Sequence, residues 1–345
     1  WATASFRDAR KQRICDPYMS VILTYMFPDD TDDIEFWPQR GPSEAIEKRK
    51  IMLNFEDQDG QIWFDGALVD WRDVKLHVLT HGLHYASCVF EGERVYNGRI
   101  FKLREHSERL LNSANLLGFE IPYSLEKLEA ATLETVAAQG YENAYVRPVA
   151  WRGSEMMGVS AQQSKIHLAI AVWEWPSYFS PEARMRGIRL TTSTWRRPAP
   201  DTAPVHAKAA GLYMICTLSK HAAEAAGFDD ALMLDYRGRI AESTGANIFL
   251  IQDGKIHTPT PDCFLDGITR QTVIALAKKR NFEVIERAIM PDELEKTDEI
   301  FVTGTAAEVT PVGEIDGRKF TVGTISQTLM EDYDNLVRVR SEAAA

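Results

Sequence analysis

Apolar residues recur along the chain with two different periods, and each period predicts a different element. Over residues 125–136 they fall at helical spacing between Ser124 and Gly140, which predicts an amphipathic helix with an N-cap serine and a C-terminal glycine. Over residues 166–172 large apolar residues alternate with His167 and alanines, as in a largely buried strand. The chain is therefore expected to mix helices with strands.

The same rules predict further elements downstream. Asp65-Gly66 and Asp253-Gly254 each lie between short apolar runs, and this dipeptide favours the positive-φ turn of a β-hairpin. The helices and strands predicted in the second half of the chain are a helix over 209–226, a helix over 267–279, and strands over 231–235, 248–251, 256–258 and 299–303.

The predicted elements divide the chain into segments. Residues 1–54 have no clean periodicity and are expected to form an N-terminal extension of unknown structure, with Met52 as a plausible translation start. The Pro-, Trp- and Tyr-rich stretch 173–181 is predicted to be an interdomain loop. It would separate a small α/β domain, 55–172, from a large domain, 182–338, which is followed by a tail, 339–345. The predicted fold class is α/β, with mixed α+β character.

Composition narrows the possible functions. The chain has 345 residues, 45% of them hydrophobic, which is enough to bury a sizeable core and argues against disorder as the main state. Its net charge of −11 argues against nucleic-acid partners, because such binding needs clustered Lys and Arg. No apolar run approaches the roughly 20 residues that a membrane span needs.

The four cysteines, Cys15, Cys88, Cys216 and Cys263, show no CxxC pair and no zinc-ligand spacing. They are interpreted as reduced thiols of a cytoplasmic protein, and no metal site is expected. Residues 19–27 follow several basic residues and loosely imitate a signal peptide, but they lack a small-residue cleavage site.

Two segments in the second half are suited to an anionic ligand. In 265–270, Gly267 precedes a helical pattern, and the free N–H groups at the start of a helix attract phosphate. Thr269 adds a hydroxyl to these N–H groups. In 303–308, small residues directly follow a predicted strand, so backbone N–H groups can approach a ligand closely. Each segment also has a plainer interpretation, an ordinary helix N-cap for the first and a strand-to-helix turn for the second.

Lys208 and Glu242 are the candidate titratable residues. Lys208 lies among small apolar residues in 203–213, and desolvation lowers the pKa of an amine toward the range in which it is nucleophilic. Glu242 lies among small and apolar neighbours in 240–247, where a carboxylate needs a cationic partner or hydrogen bonds. Most lysines are solvated surface groups, so Lys208 alone does not establish a catalytic role.

The motifs and their order closely resemble the fold-type IV pyridoxal-phosphate enzymes, and among them the branched-chain amino acid aminotransferases. The likeness runs in unbroken order from about residue 60 to about residue 325. It implies a two-domain fold-type IV architecture, pyridoxal 5'-phosphate as cofactor, and a homodimer or higher homo-oligomer. The segments that carry it are 81–85, 89–94, 101–110, 206–213, 241–249, 265–270 and 303–312.

The resemblance implies a role for each cofactor-site residue. Lys208 would hold the cofactor as a Schiff base and move the proton, while Glu242 would pair with the pyridine nitrogen and Tyr213 with the 3'-oxygen. A core tyrosine and a surface arginine are the plainer interpretations of Tyr213 and Arg109. The implied cofactor site comprises Arg109, Lys208, Tyr213, Glu242, Leu265, Gly267, Ile268, Thr269 and Thr305.

The resemblance also implies a substrate pocket and a ping-pong reaction that moves the amino group of leucine, isoleucine or valine to 2-oxoglutarate. Ala306 and Ala307 would bind the α-carboxylate through backbone N–H groups, and Arg147 would pair with the distal carboxylate of glutamate. Val159 would reach in from a partner subunit. The implied pocket comprises Tyr85, Phe90, Arg94, Tyr145, Arg147, Val159, Trp175, Tyr178, Ala306 and Ala307.

Two residues depart from the family pattern. Glu93 stands where bacterial relatives more often carry an aliphatic residue, and Leu212 replaces a residue that is often asparagine. Glu93 is interpreted either as an ion-pair partner of Arg94 or as a charge at the site entrance. The alternative functions are an (R)-selective amine or D-amino acid transaminase of the same fold, a lyase of the aminodeoxychorismate type, and a catalytically silent binding module.

Overall fold

The computed structural model describes residues 54–175 and 186–338. The extension before Asn54, residue Tyr178 with most of the loop predicted over 173–181, and the tail 339–345 lie outside the described residues. Within the two described ranges, no helix combines the length and the apolar character that a membrane crossing requires.

The first half of the body is built on an antiparallel sheet of seven strands. Its order is β2-β1-β7-β6-β4-β5, and β3 pairs separately with β6. The Asp65-Gly66 turn joins the first two strands with positive φ at both residues, as expected from the sequence. The strands are β1 Gln61–Phe64, β2 Ala67–Asp70, β3 Cys88–Phe90, β4 Glu93–Tyr96, β5 Arg99–Ile100, β6 Ala144–Arg152 and β7 Ile166–Glu174.

The described residues of this half form three α-helices: α1 His81–Tyr85, α2 Leu103–Leu116 and α3 Leu125–Gln139. The Ser124 side chain accepts a hydrogen bond from the N–H of Lys127, and Gly140 ends α3 with a left-handed backbone conformation, as the sequence predicts. Helices α2 and α3 pack on the sheet through a buried apolar cluster that includes Trp63, Leu110, Leu128, Leu168 and Ile170.

The second half is built on a sheet of nine strands in the order β10-β9-β8-β15-β14-β11-β12-β13, with β16 on β15. An additional pairing of β10 with β11, at Glu242 and Asn247, closes six of these strands into a ring. The strands are β8 Ile188–Arg197, β9 Asp230–Asp235, β10 Ile240–Ser243, β11 Asn247–Gln252, β12 Lys255–Pro259, β13 Val284–Arg287, β14 Glu299–Gly304, β15 Glu308–Ile315 and β16 Arg318–Lys319.

Side chains on the central strands of this sheet alternate between two apolar clusters. Ile248 and Leu250 of β11 join a cluster that the strands of the ring share, whereas Phe249 and Ile251 join a cluster with two helices. This is the period-2 alternation of a strand that is buried on both faces. The helices of this half are α4 Met214–Ala225, α5 Ile268–Lys279 and α6 Thr324–Arg338.

The predicted mixture of helices and strands is confirmed, with small shifts at the ends of elements. The helix predicted over 209–226 begins as a 3-10 turn, Ala210–Tyr213, before α4 starts. Residues 303–308 lie in a turn between the antiparallel strands β14 and β15, so the strand-to-helix interpretation was wrong. Each of the two predicted domains contains one sheet, and the division into domains remains a prediction.

Candidate active site

One cavity of the second half brings together every residue that the sequence placed in the cofactor site. Strands β10, β11 and β14, the start of α5 and the segment around Lys208 supply its walls, and α2 contributes one side chain. The residues expected there that line it are Arg109, Lys208, Tyr213, Glu242, Leu265, Gly267, Ile268, Thr269 and Thr305.

Lys208 is held at the cavity by contacts with the first half of the chain. Its backbone N–H donates to the Ser113 hydroxyl at 3.0 Å, and its carbonyl accepts from the N–H of Phe90 at 3.1 Å. Ala209 forms a β-bridge with Val89 immediately beyond. The main chain on both sides of the lysine is therefore fixed, and only the side chain is left to move.

The ammonium group of Lys208 donates a hydrogen bond to the Tyr213 hydroxyl at 2.8 Å. The 3-10 turn over Ala210–Tyr213 brings this tyrosine back beside the lysine. Burial lowers the pKa of Lys208 and raises the pKa of Tyr213. Both shifts favour a neutral amine beside a neutral phenol, which is the state in which a lysine acts as a nucleophile or a base.

Glu242 forms an ion pair with Arg197, whose Nε lies 3.3 Å from Oε1. Asn247 donates to the other carboxylate oxygen at 3.4 Å. Burial raises the pKa of Glu242 to about 7, although the charges of Arg197 and Lys208 work in the opposite direction. The cavity therefore holds a carboxylate whose charge depends on its cationic neighbours.

Arg109 is held by a fully buried carboxylate, that of Glu91. Its Nε and Nη2 donate to the two oxygens of Glu91 at 2.7 and 2.9 Å, and His106 Nδ1 lies 2.7 Å from the second oxygen. Burial favours the neutral form of Glu91, but the charge of Arg109 and its hydrogen bonds outweigh burial and hold the Glu91 pKa below its usual range. A bidentate pair of this kind fixes the direction of the guanidinium group.

The start of α5 forms the anion-binding end of the cavity. Gly267 is the N-cap, and Ile268 and Thr269 occupy the first turn, where backbone N–H groups have no helical partner. Asn247 fixes this loop, because its side chain accepts from the N–H of Gly267 at 3.2 Å and donates to the carbonyl of Leu265 at 3.0 Å.

Part of the predicted substrate pocket forms a cluster beside the cavity. The Phe90 ring centre lies 4.9 Å from Lys208 Nζ and 4.7 Å from the guanidinium carbon of Arg147. Arg147 also covers Tyr145, whose ring lies 5.2 Å from that of Trp175. An aromatic surface that carries one cation therefore begins directly at the lysine.

Arg94 lies buried on β4, with its Nη1 3.8 Å from Glu308 Oε1. Its Nε and Nη1 make no hydrogen bond within the described part of the chain. Ala306 and Ala307 form the turn that leads to Glu308. A buried arginine with spare donors, close to a turn with accessible N–H groups, is suited to a carboxylate.

Two predicted pocket residues make their contacts elsewhere in this chain. Tyr85 is 44% exposed, and its hydroxyl donates to the carbonyl of Met157 at 3.2 Å. Val159 is 83% exposed. Neither lines the cavity, and Tyr178 lies outside the described residues.

The structure contradicts both interpretations of Glu93. The side chain is fully buried, so it is not an entrance charge, and neither of its oxygens has a hydrogen-bond partner among the described residues. Neighbouring residues of a strand point to opposite faces, which is why Glu93 and Arg94 on β4 do not pair. Burial and the nearby charge of Glu91 raise the pKa of Glu93 well above its usual range.

Sequence reasoning missed several residues of the site. Arg197 pairs with Glu242, Glu91 orients Arg109, Asn247 braces the anion-binding loop, and Cys216 and Leu212 line the cavity. The requirement that a buried Glu242 needs a cation was recognised, but nothing in the local sequence identified Arg197 as that cation. Cys216 has a buried thiol that accepts from Arg197 Nη1 at 3.4 Å, and burial raises its pKa to about 11.

One group of potential metal ligands occurs among the described residues, although none was expected. Ligand atoms of Asp235, Asp262 and Cys263 lie within 4.8 Å of one another. Arg237 donates to both carboxylates, at 2.8 Å to Asp235 and at 2.8 and 2.7 Å to Asp262. The guanidinium therefore already occupies oxygens of both acids and compensates one of their two charges.

The cavity suits a planar cationic heterocycle that carries a phosphate. An anion-binding helix start and Arg109 lie on its walls with an amine, a phenol and an ion-paired carboxylate. The hydroxyl of Thr303, which lines the cavity, is buried without a hydrogen-bond partner among the described residues. Such an orphaned group calls for a ligand or a water at this place.

Comparisons with known proteins agree with this chemistry. Residues 88–315 match the family described as amino-transferase class IV. A branched-chain-amino-acid aminotransferase of Pseudomonas aeruginosa is 43% identical over 300 residues, which span 85% of this chain and 98% of the relative.

Solved structures of similar proteins share the fold. The branched-chain aminotransferase of Thermoproteus uzoniensis with norvaline has a TM-score of 0.78 at 39% identity, covering 82% of this chain and 96% of that one. The T.th. branched-chain amino acid aminotransferase, complexed with N-(5'-phosphopyridoxyl)-L-glutamate, has a TM-score of 0.78 at 41% identity, covering 81% and 95%. The chain therefore belongs to the class IV aminotransferases of fold type IV, in the group of the branched-chain-amino-acid aminotransferases.

Proposed function

We propose that the chain is a pyridoxal 5'-phosphate-dependent transaminase that moves the amino group of leucine, isoleucine or valine to 2-oxoglutarate. The observation that carries the proposal is a single cavity. It is lined by Lys208, Tyr213 and the Glu242–Arg197 pair, and also by an anion-binding helix start. A complex with norvaline in one relative and a phosphopyridoxyl-glutamate adduct in another support both the cofactor and the two substrate classes.

Each part of the cofactor has a group suited to it. Arg109, the first-turn N–H groups of α5 and the hydroxyls of Thr269 and Thr305 would hold the phosphate, and Tyr213 would bind the 3'-oxygen. Glu242 would face the ring nitrogen, where its negative charge keeps a proton on that nitrogen. When bound, pyridoxal phosphate supplies an aldehyde that condenses with amines and a ring that withdraws electrons.

The residues of the chain would then govern proton movement. Because burial lowers the pKa of Lys208, a larger fraction of its amine is neutral than in a solvated lysine, and that neutral form can accept a proton at Nζ. Tyr213 orients that nitrogen through its hydrogen bond. Arg197 favours the charged form of Glu242 and so opposes the effect of burial.

The neighbouring cluster would recognise the substrate. The N–H groups of Ala306 and Ala307, with Arg94 behind them, would take the α-carboxylate, and Phe90 and Trp175 would contact an aliphatic side chain. Arg147 rests on aromatic rings and donates to the Tyr145 hydroxyl at 3.4 Å, and no ion pair with a carboxylate of the described residues holds it, so it would turn toward the second carboxylate of glutamate. One pocket would thereby accept both substrates of a ping-pong reaction, and Val159 of a second copy of the chain would complete it.

The decisive experiment is a set of half-reactions on the protein loaded with pyridoxal phosphate. The visible absorbance of the cofactor is expected to change with L-leucine and L-glutamate, and much more slowly with D-alanine and (R)-1-phenylethylamine. Borohydride is expected to fix the cofactor to the peptide that contains Lys208. Lys208→Arg should abolish both the absorbance change with substrates and the fixation by borohydride. Lys255→Arg, at an exposed ion pair with Glu283, should leave both unchanged.

The same measurement separates the alternatives. A faster reaction with D-alanine or the amine than with L-leucine would establish the D-amino acid or (R)-amine activity in place of the proposed one. A chain that takes up no cofactor would be a binding module.

A further inference from the structure

Three donors converge on a single oxygen of Glu308. The Tyr96 hydroxyl donates to Oε1 at 3.0 Å, Arg338 Nη2 donates to it at 3.2 Å, and Arg94 Nη1 lies 3.8 Å away. Glu308 is 2% exposed, whereas the side chain of Arg338 is 43% exposed. A surface arginine therefore reaches inward to a buried carboxylate.

Glu308 also shapes the turn that precedes it. Its φ of +56° places a non-glycine residue in the left-handed region, which the surroundings must enforce. The Thr310 hydroxyl donates to the carbonyl of Ala307 at 2.6 Å, so the turn is braced on its β15 side. These contacts hold the backbone on the β15 side of the turn that contains Ala306 and Ala307.

Arg338 is the last described residue of α6 and is anchored three ways. Beyond its hydrogen bond to Glu308, its guanidinium carbon lies 5.2 Å from the Tyr96 ring centre, and its carbonyl accepts from Asn97 Nδ2 at 3.0 Å. Helix α6 is thus tied at Arg338 to strand β4 and to the turn between β4 and β5.

We propose that Arg338 is a positioning residue for binding of the substrate α-carboxylate. Arg338 and Tyr96 occupy Glu308 Oε1, so Arg94 remains at 3.8 Å with donors to spare. Without Arg338, Arg94 closes onto Glu308 and is withdrawn from the carboxylate, and the turn loses one of its braces. This inference rests on the proposed function, since it concerns the carboxylate site assigned there.

The test compares the loaded wild-type protein with Arg338→Gln, Arg338→Lys and Arg280→Gln. Arg280 is the matched control, because it pairs with Asp332 of the same helix at 2.5 Å and does not contact Glu308. Two binding readouts are used: KM for L-leucine and for L-glutamate, and the Kd of 4-methylvaleric acid, a carboxylic acid without an amino group, followed by cofactor absorbance.

We expect Arg338→Gln to raise both KM values and the Kd by about three- to tenfold while kcat and the cofactor spectrum stay unchanged. Arg338→Lys should restore most of the affinity, because it keeps the charge. Hydrogen exchange at the N–H groups of residues 305–308 should rise in the Gln variant only. Should that variant fail to fold, Tyr96→Phe removes the other donor to Oε1 and is expected to show the same pattern.

Unchanged KM and Kd in Arg338→Gln, or an equal rise in Arg280→Gln, would overturn the positioning role. A fall in kcat with constant KM would overturn it as well. If the wild-type protein binds 4-methylvaleric acid yet takes no amino group from leucine, the proposed function fails, and the Kd comparison still decides the role of Arg338.

Discussion

The Arg197 guanidinium lies 3.3 Å from the Glu242 carboxylate, deep in the wall of the cavity. The arginine is itself buried and also donates to the Leu212 carbonyl and the Cys216 thiol, at 3.4 Å each. Removing either charge leaves the other buried without compensation, which is costly. The charge state of Glu242 therefore depends in part on a residue that does not have to touch the cofactor.

Burial raises the pKa of Glu242 to about 7. Replacing Arg197 by Gln is expected to raise this pKa further, because the main positive charge that works against the effect of burial is lost. Once the pKa lies well above the pH, each further unit of rise lowers the ionised fraction about tenfold. The ionised form is the active one, so the acid limb of the kcat–pH profile should move to higher pH. Arg189→Gln, on the same strand but paired with Glu314, is the control, and identical profiles for both variants would contradict the assignment.

Replacing Arg109 by Lys should weaken cofactor binding by about tenfold or more, since a lysine cannot form the bidentate pair with Glu91 and orient its charge. Equilibrium dialysis of pyridoxal phosphate measures the affinity. Arg104→Lys, on the exposed side of the same helix, should leave the affinity as it is. Equal affinity for wild type and Arg109→Lys would remove Arg109 from the phosphate site.

Glu93 gives a prediction about stability. Its folded pKa is raised, so the stability that it contributes is present below its unfolded pKa of about 4.3 and is lost as pH rises through the folded value. Glu93→Gln should therefore be more stable than the wild-type apoprotein at pH 8, by about 1–3 kcal/mol, with a smaller difference at pH 5. Urea unfolding at both pH values measures this. Exposed Glu134→Gln is the control, and a difference that grows toward pH 5 would refute the prediction.

Replacing Arg147 by Met should separate the two substrate classes. The KM for L-glutamate is expected to rise about tenfold or more, because its second carboxylate loses a charged partner, while the KM for L-leucine changes little. Arg152→Met is a matched control on the same strand, since Arg152 also covers an aromatic ring, that of Phe119, outside the cavity. A parallel rise for both substrates would show that Arg147 does not discriminate between them.

Much of the fold and of the cavity was predictable because its signals are local. The turn chemistry of Asp65-Gly66, the caps of α3 and the glycine before α5 each act within a few residues. Lys208 and Tyr213 are five residues apart, and a single 3-10 turn brings them together. Family resemblance supplied the order in which such segments meet, and the cavity brings together all nine residues that it implied.

The parts that were missed depend on strand register. Arg197 pairs with Glu242, which lies 45 positions later in the sequence. Its neighbour Arg196 is also an arginine, and the sequence alone does not show which of the two forms this pair. Which of two adjacent arginines turns inward is decided by a bulge in the pairing of β8 with β9 between Thr192 and Arg196. The wrong interpretation of Glu93 as a partner of Arg94 also concerns strand geometry, because these adjacent residues point to opposite faces of β4.

The main-chain bonds of Lys208 have a consequence for how such an enzyme can be altered. Its N–H and carbonyl are held by Ser113 and Phe90 of the first half, while its side chain serves a cavity made mainly by the second half. On the proposed function, contacts with one half of the protein would aim the reactive nitrogen at a ligand held mainly by the other. Chimeras that exchange whole halves between relatives should keep cofactor affinity yet lose turnover, unless the backbone around these two contacts is transplanted as well.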